Sequence, residues 1–115
     1  MIDGVAQVGL RSRDIRRSVE FYRDTLGIRL LFEAPNAAFF DCGGVRLTIG
    51  ATESASSVYF RVEEIQSAAA ELTSRGVELE RGPHLVAKMP DHEIWMAFFC
   101  DPDGNRLALL SEKSG

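Results

Sequence analysis

The chain has 115 residues, 45% of them hydrophobic and 26% charged, with a formal net charge of −4. That balance fits one soluble domain with a real core, and it offers no electrostatic footprint for nucleic acid or an anionic membrane. No basic start leads into an apolar run, and no apolar stretch approaches the roughly 18 residues of a membrane span, so a cytoplasmic protein is expected. Cys42 and Cys100 form neither a CxxC motif nor a secreted disulfide framework. Each is expected to act as a small buried or half-buried hydrophobe at a strand end.

Taken in order, Val5 to Arg11 alternates apolar and polar residues and predicts a strand. Asp14 is a plausible N-cap for a helix carrying Ile15, Val19, Tyr22 and Leu26, with Gly27 placed to end it. Residues 28–33, 37–41 and 45–49 predict three short strands, with turns at Pro35-Asn36 and Gly43-Gly44. The order then repeats. Residues 57–62 predict a strand, Glu64 can cap a helix bearing Ile65, Ala69 and Leu72, and Gly76 closes it. Strands are expected at 77–80, 94–100 and 106–111, with 82–93 as a longer connection or hairpin. Gln7–Arg11 aligns with Ser57–Arg61, and Arg46-Leu47-Thr48 with Arg106-Leu107-Ala108. Each half has one helix and too few strands to bury a sheet face alone, so a single domain of module 1–53 and module 54–115 is expected. Ser54-Ala55-Ser56 is the natural junction.

The run from Val8-Gly9-Leu10-Arg11 through Asp14-Ile15, Ser18-Val19-Glu20-Phe21-Tyr22 and Leu26-Gly27, together with Asp101-Pro102-Asp103-Gly104-Asn105, resembles the vicinal oxygen chelate superfamily. That superfamily includes glyoxalase I, bleomycin-resistance proteins, fosfomycin-resistance enzymes and extradiol dioxygenases. The resemblance covers nearly the whole chain. It implies an α+β fold in which two βαβββ modules form an incomplete barrel around a ligand cup, commonly in a homodimer.

The resemblance also implies four metal-ligand positions, which fall here on Gln7, Thr48, Ser57 and Ala108. Only Gln7 keeps a residue type that metal-binding relatives use there. Neutral hydroxyls and a methyl group are poor company for Zn²⁺, Fe²⁺ or Ni²⁺, which favour imidazole and carboxylate. No metal and no cofactor is therefore expected. His84 and His92 do not rescue a site, because His92 sits near a hairpin tip at Met89-Pro90-Asp91 with His84 roughly 17 Å down the other arm. Each reads as a surface or hairpin-stabilising histidine. Glu93 points away from His92, since strand neighbours face opposite sides.

Strand parity places Gln7, Gly9, Arg11, Arg46, Thr48, Ser57, Tyr59, Arg61, Arg106, Ala108 and Leu110 on the inward face. Val8, Leu10, Leu47, Ile49, Val58, Phe60, Leu107 and Leu109 then pack under the helices. By family analogy Phe98, Met96 and Ile94 face in and Trp95 faces out. Gly9 supplies a floor that lets a bulky neighbour or ligand approach. The expected ligand-binding set is Gln7, Arg11, Arg46, Thr48, Ser57, Tyr59, Met96, Phe98, Arg106 and Ala108, the make-up of a small-molecule pocket. The arginines suit a carboxylate or phosphate clamp, but exposed strand ends account for them more simply. Tyr59 is the one candidate catalytic acid.

The leading reading is a metal-free binder of a partly apolar small molecule. Against it stand a lyase, isomerase or dioxygenase using Gln7 with other ligands, and a degenerate non-catalytic module whose cup is filled by Phe98 and Met96. The sequence leaves open whether any reaction is catalysed.

Overall fold

The structure, a computed structural model, describes Met1, residues 5–51, Glu53 and residues 56–114. The chain falls into two compact units, Met1–Ser56 with Asp101–Asn105, and Ser57–Cys100 with Arg106–Gly115. Ser54 and Ala55 of the expected junction lie outside the described residues. Each unit follows the βαβββ order, and the fold class is α+β. No helix among the described residues is long and apolar enough to cross a membrane.

In the first unit, β1 (Gln7–Arg11), β2 (Arg29–Ala34), β3 (Ala37–Cys42) and β4 (Val45–Gly50) form an open sheet ordered β1-β4-β3-β2. β1 runs parallel to β4, and the other pairings are antiparallel. Asp14 caps α1 (Ile15–Val19) by accepting the Arg17 N–H at 3.2 Å. The expected single helix does not run on in one form. From Glu20 to Thr25 the backbone widens into a π-helix, where the Leu26 N–H donates to the Phe21 carbonyl. Gly27 then takes the positive φ of 73° that the sequence anticipates.

Cross-strand partners share a face of a sheet, so the register sorts the side chains. One face of the first sheet carries Leu10, Ala38, Phe40, Leu47 and Ile49, all fully or almost fully buried. Val19 and Tyr22 are buried with them, and the Tyr22 and Phe40 rings lie 5.7 Å apart. Each such side chain contributes roughly 1.5–3 kcal/mol by leaving water.

The second unit repeats the plan with β5 (Ser57–Arg61), α2 (Ile65–Ser74), β6 (Arg81–Lys88), β7 (His92–Cys100) and β8 (Arg106–Ser114), ordered β5-β8-β7-β6. Glu64 caps α2 as anticipated, its carboxylate accepting the Gln66 and Ser67 N–H groups. Ile65, Ala69 and Leu72 are buried with Ala97, Phe99, Leu107 and Leu109. Residues 77–80, expected as a strand, are not one. The Val77 N–H donates to the Leu72 carbonyl and closes the helix end, and the side chain is buried there. Sheet bonding starts only where the Glu80 N–H meets the Phe98 carbonyl at 2.8 Å. The 82–93 stretch resolves as the hairpin alternative, with the Met89 N–H donating to the His92 carbonyl.

A buried polar network is built on the Asp101–Asn105 turn of the first unit. The Asp101 carboxylate, 6% exposed, accepts four hydrogen bonds: from the Asp103 and Asn105 N–H groups, the Asn105 amide and the Tyr22 hydroxyl, at 2.7–2.9 Å. Asp103, 4% exposed, accepts from the Arg13 N–H at 2.8 Å, the Arg17 guanidinium at 2.9 Å and the Ser18 hydroxyl at 3.2 Å. Asn105, fully buried, gives its amide hydrogen to the Arg11 carbonyl at 2.7 Å. Gly104, with φ 80°, makes the turn that lets all three side chains converge.

The buried Tyr22 hydroxyl lends itself to a test. Burial, and then the adjacent Asp101 charge, push its ionisation far above its ordinary value of 10.0. Tyr22→Phe should lower the unfolding free energy at neutral pH by about 1.5–3 kcal/mol in urea titrations. Above pH ~10 the unfolded chain releases the Tyr22 proton while the folded chain keeps it. The unfolded state then binds fewer protons, so this contribution is whole below pH ~10 and falls by up to ~1.4 kcal/mol per pH unit above it. The advantage of wild type over Tyr22→Phe should accordingly shrink between about pH 10 and 11. A constant difference would contradict this account.

Candidate functional site

Each sheet has one face without a helix, and these faces hold the side chains that sequence parity singles out. On the first sheet the register aligns Gln7 with Arg46 and Asp41, and Gly9 with Thr48, Phe39 and Phe32. Arg46 donates its Nε to the Gln7 amide oxygen at 2.8 Å. Thr48 is only 6% exposed, and its hydroxyl has no hydrogen-bond partner among the described residues. The Phe32 and Phe39 rings stack with centroids 4.4 Å apart, leaving Phe32 exposed. Arg11 has the same strand parity but serves the turn instead, donating a guanidinium hydrogen to the Asp103 carbonyl at 3.2 Å.

Glu53 is the residue on this face that strand reasoning does not reach. It follows β4 through a turn in which its N–H donates to the Gly50 carbonyl. Its side chain folds back over β1, so that a Cβ placed on Gly9 would overlap the Glu53 carboxylate. A Cβ on Gly50 would stand 3.5 Å from Glu53 Cγ. The sequence does carry a signal, glycine at two strand positions, which marks a close approach without naming what approaches.

On the second sheet one row reads Tyr59, Ala108, Phe98 and Arg81, and the next Arg61, Leu110, Met96 and His84. Ser57, Arg106 and Cys100 form a third. Tyr59 is 56% exposed, Phe98 and Met96 are half-buried, and Ala108 is covered. The Arg106 guanidinium lies 4.5 Å over the Phe98 ring, and the His84 ring centroid is 5.8 Å from it. His84 is thus part of this face, whereas sequence reasoning leaves it on the surface or in the hairpin. His92 stays at the hairpin end, with Asp91 at 2.7 Å. Glu93 and Trp95 point to the other face, where the indole N–H donates to Glu93 at 3.1 Å and Lys113 lies over the ring. An open pocket of about 550 Å³ at the ends of β5 and β8 is lined by Arg61, Val62, Glu63 and Glu112.

The two cysteines differ from one another. Cys42 is half-buried, as expected, and burial, then the Asp41 charge, push its thiol up, which disfavours the thiolate. Cys100 is exposed rather than buried, with its thiol on the Glu80 carboxylate at 2.8 Å. Among the described residues, no three His, Cys, Asp or Glu side chains gather in a set that could hold a metal ion.

Residues 4–109 match the model of the family described as Glyoxalase/Bleomycin resistance protein/Dioxygenase superfamily. The protein YraH of Bacillus subtilis (strain 168), described as uncharacterized, is 28% identical over 126 residues, covering 90% of this chain and 94% of YraH. The metallothiol transferase FosB of Staphylococcus haemolyticus (strain JCSC1435) is 39% identical over 49 residues, which are 43% of this chain and 35% of FosB. In fold, the chain is similar to the crystal structure of lactoylglutathione lyase from Agrobacterium tumefaciens. The TM-score is 0.79 at 16% identity, over 96% of this chain and 95% of that one.

The Gly9 contact has a testable consequence. The obstructing atoms are the far end of a flexible side chain, so Gly9→Ala should fold with an unfolding free energy within about 1 kcal/mol of wild type. The Glu53 carboxylate should nonetheless move, which its carboxyl-carbon NMR shift would report. A loss above about 3 kcal/mol would mean that Glu53 is rigidly held.

Proposed function

The chain belongs to the glyoxalase/bleomycin resistance protein/dioxygenase superfamily, and on that premise we propose that it is a cytoplasmic small-molecule-binding protein whose ligand sites are the helix-free sheet faces. One observation carries the proposal that these sites work without a resident metal ion. At the positions where the resemblance puts metal ligands, the groups present do not fit one. The Gln7 amide oxygen is held by the Arg46 guanidinium, whose positive charge opposes a cation at that oxygen. Thr48 and Ser57 bring neutral hydroxyls, and Ala108 a covered methyl group. Such a set lacks the imidazole and carboxylate that transition metals need.

What remains suits an organic ligand. Tyr59, Phe98 and Met96 offer aromatic and thioether surface, while Ser57, Arg46 and Arg106 supply a few polar groups around it. Phe98 and Met96 keep part of their surface open, which favours binding over a face filled by its own side chains. A homodimer suits the exposed apolar residues on edge strands, Leu31 and Phe32 on β2 and Leu85 and Val86 on β6.

An enzyme of the same superfamily is the second reading. The partial match to a protein named metallothiol transferase favours it, as does the Glu53 carboxylate lying over Gly9.

Two measurements separate these readings. Elemental analysis of protein purified without chelator should find no stoichiometric Ni, Zn, Mn or Fe, and an equimolar metal would sink the metal-free reading. A thermal-shift screen of amphipathic metabolites should yield hits, each raising Tm as ligand concentration rises. Phe98→Ala should weaken hits on the second sheet about tenfold or more through lost aromatic contact.

A further inference from the structure

We infer that Glu53 and Thr48 form a recognition site for the ammonium group of an organic amine, on the helix-free face of the first unit's sheet. The inference rests on the small-molecule reading and adds the charge class of the ligand.

Three observations meet at this place. The Glu53 carboxylate lies on β1 at the one position, Gly9, where no side chain stands in its way. Thr48 is the register partner of Gly9, so its hydroxyl belongs to the same face. That hydroxyl is buried and has no partner among the described residues. Leaving such a group unsatisfied disfavours the empty site, and an incoming donor would recover that cost. Of the cations with the same strand parity, Arg46 donates to Gln7, Arg29 lies at the far end of the Gln7 row, and Arg11 donates to the Asp103 carbonyl while its buried Nε has no partner among the described residues. Among the described residues, none pairs with Glu53.

The chemistry selects the ligand. A carboxylate only accepts hydrogen bonds, and a threonine hydroxyl has lone pairs to offer as well. A primary ammonium carries three N–H donors and a positive charge, so one group satisfies both residues. An anion is repelled by Glu53. A metal ion would find one carboxylate, one hydroxyl and no imidazole, well short of a preferred set. Phe39 and Phe32 continue the same row beyond Thr48 as a stacked pair, ready for an apolar or aromatic body next to the charge. The ligand class is therefore an amphipathic primary amine.

The test is a backbone-amide NMR titration of the full chain with phenethylammonium, and separately with hydrocinnamate, which has a similar body and the opposite charge. Phenethylammonium should give saturable shifts at Gly9, Thr48 and Phe39, and hydrocinnamate should not. Glu53→Gln keeps the shape and removes the charge, and should weaken phenethylammonium binding by about tenfold or more. Thr48→Val keeps the volume and should weaken it by about threefold or more. Equal binding by Glu53→Gln, or a preference for hydrocinnamate at these amides, would overturn the inference. So would stoichiometric Mn²⁺ binding that depends on Glu53. If the probes shift only amides near Phe98 and Tyr59, the small-molecule reading stands and the ammonium site falls. If neither probe binds anywhere, the ammonium site falls, and the metabolite screen decides the small-molecule reading separately.

Discussion

A carboxylate taken out of water costs several kcal/mol unless its oxygens are met by donors, and the first unit is built around meeting that demand twice. Asp101 and Asp103 alternate with exposed Pro102 and Gly104 along one tight turn, and Asn105 follows. Between them they draw in backbone N–H groups from Arg11 and Arg13, the Ser18 and Tyr22 hydroxyls and the Arg17 guanidinium. The partners come from the end of β1, the link to α1, α1 itself and the π-helical segment. Removing any one would strand a buried charge or donor, so the set fixes the start of the helix more firmly than helical propensity does. A helix of α1's length has little stability of its own.

The same logic separates the two faces of the first sheet. The helix-packed face is closed by Phe40, Leu47 and Ile49, and the Tyr22 hydroxyl buried with them is spent on Asp101. The helix-free face carries loose ends among the described residues: a hydroxyl without a partner at Thr48 and a carboxylate over Gly9 at Glu53 with no ion pair. Native proteins rarely leave buried polar groups unpaired without a reason, which is why chemistry is sought on that face.

Much of this was legible in the residues. Alternation in β4 and β8 separated the face under the helices, Leu47 and Leu107 included, from the face of Arg46 and Arg106. Asp14, Gly27, Glu64 and Gly76 marked the helix ends because capping is local chemistry. What stayed hidden was non-local. Tyr22 reads as one more member of an apolar stripe, and only the fold gives its hydroxyl a carboxylate partner far along the chain. Residues 77–80 have strand-like composition, yet Val77 is claimed by the helix end before a ladder can form. Glu53 lies in a loop, where periodicity carries no information about which way a side chain turns.

The repeat finally bears on what kind of site this is. Gly9 and Thr48 in the first unit occupy the positions that Tyr59 and Ala108 hold in the second. One backbone plan is thus kept twice, and so is the phenylalanine third in each row, Phe39 and Phe98, while the residues at the other places change. In the first unit the row runs Gly9, Thr48, Phe39 and Phe32, with the Glu53 carboxylate folded over its glycine end. In the second it is aromatic, with the Arg106 guanidinium over Phe98 and Arg81 at the end of the row. On the small-molecule reading the two rows would therefore select differently, each within its own unit: the carboxylate over Gly9 favours a cationic group, and the arginine-backed aromatic row favours a flat apolar or anionic one.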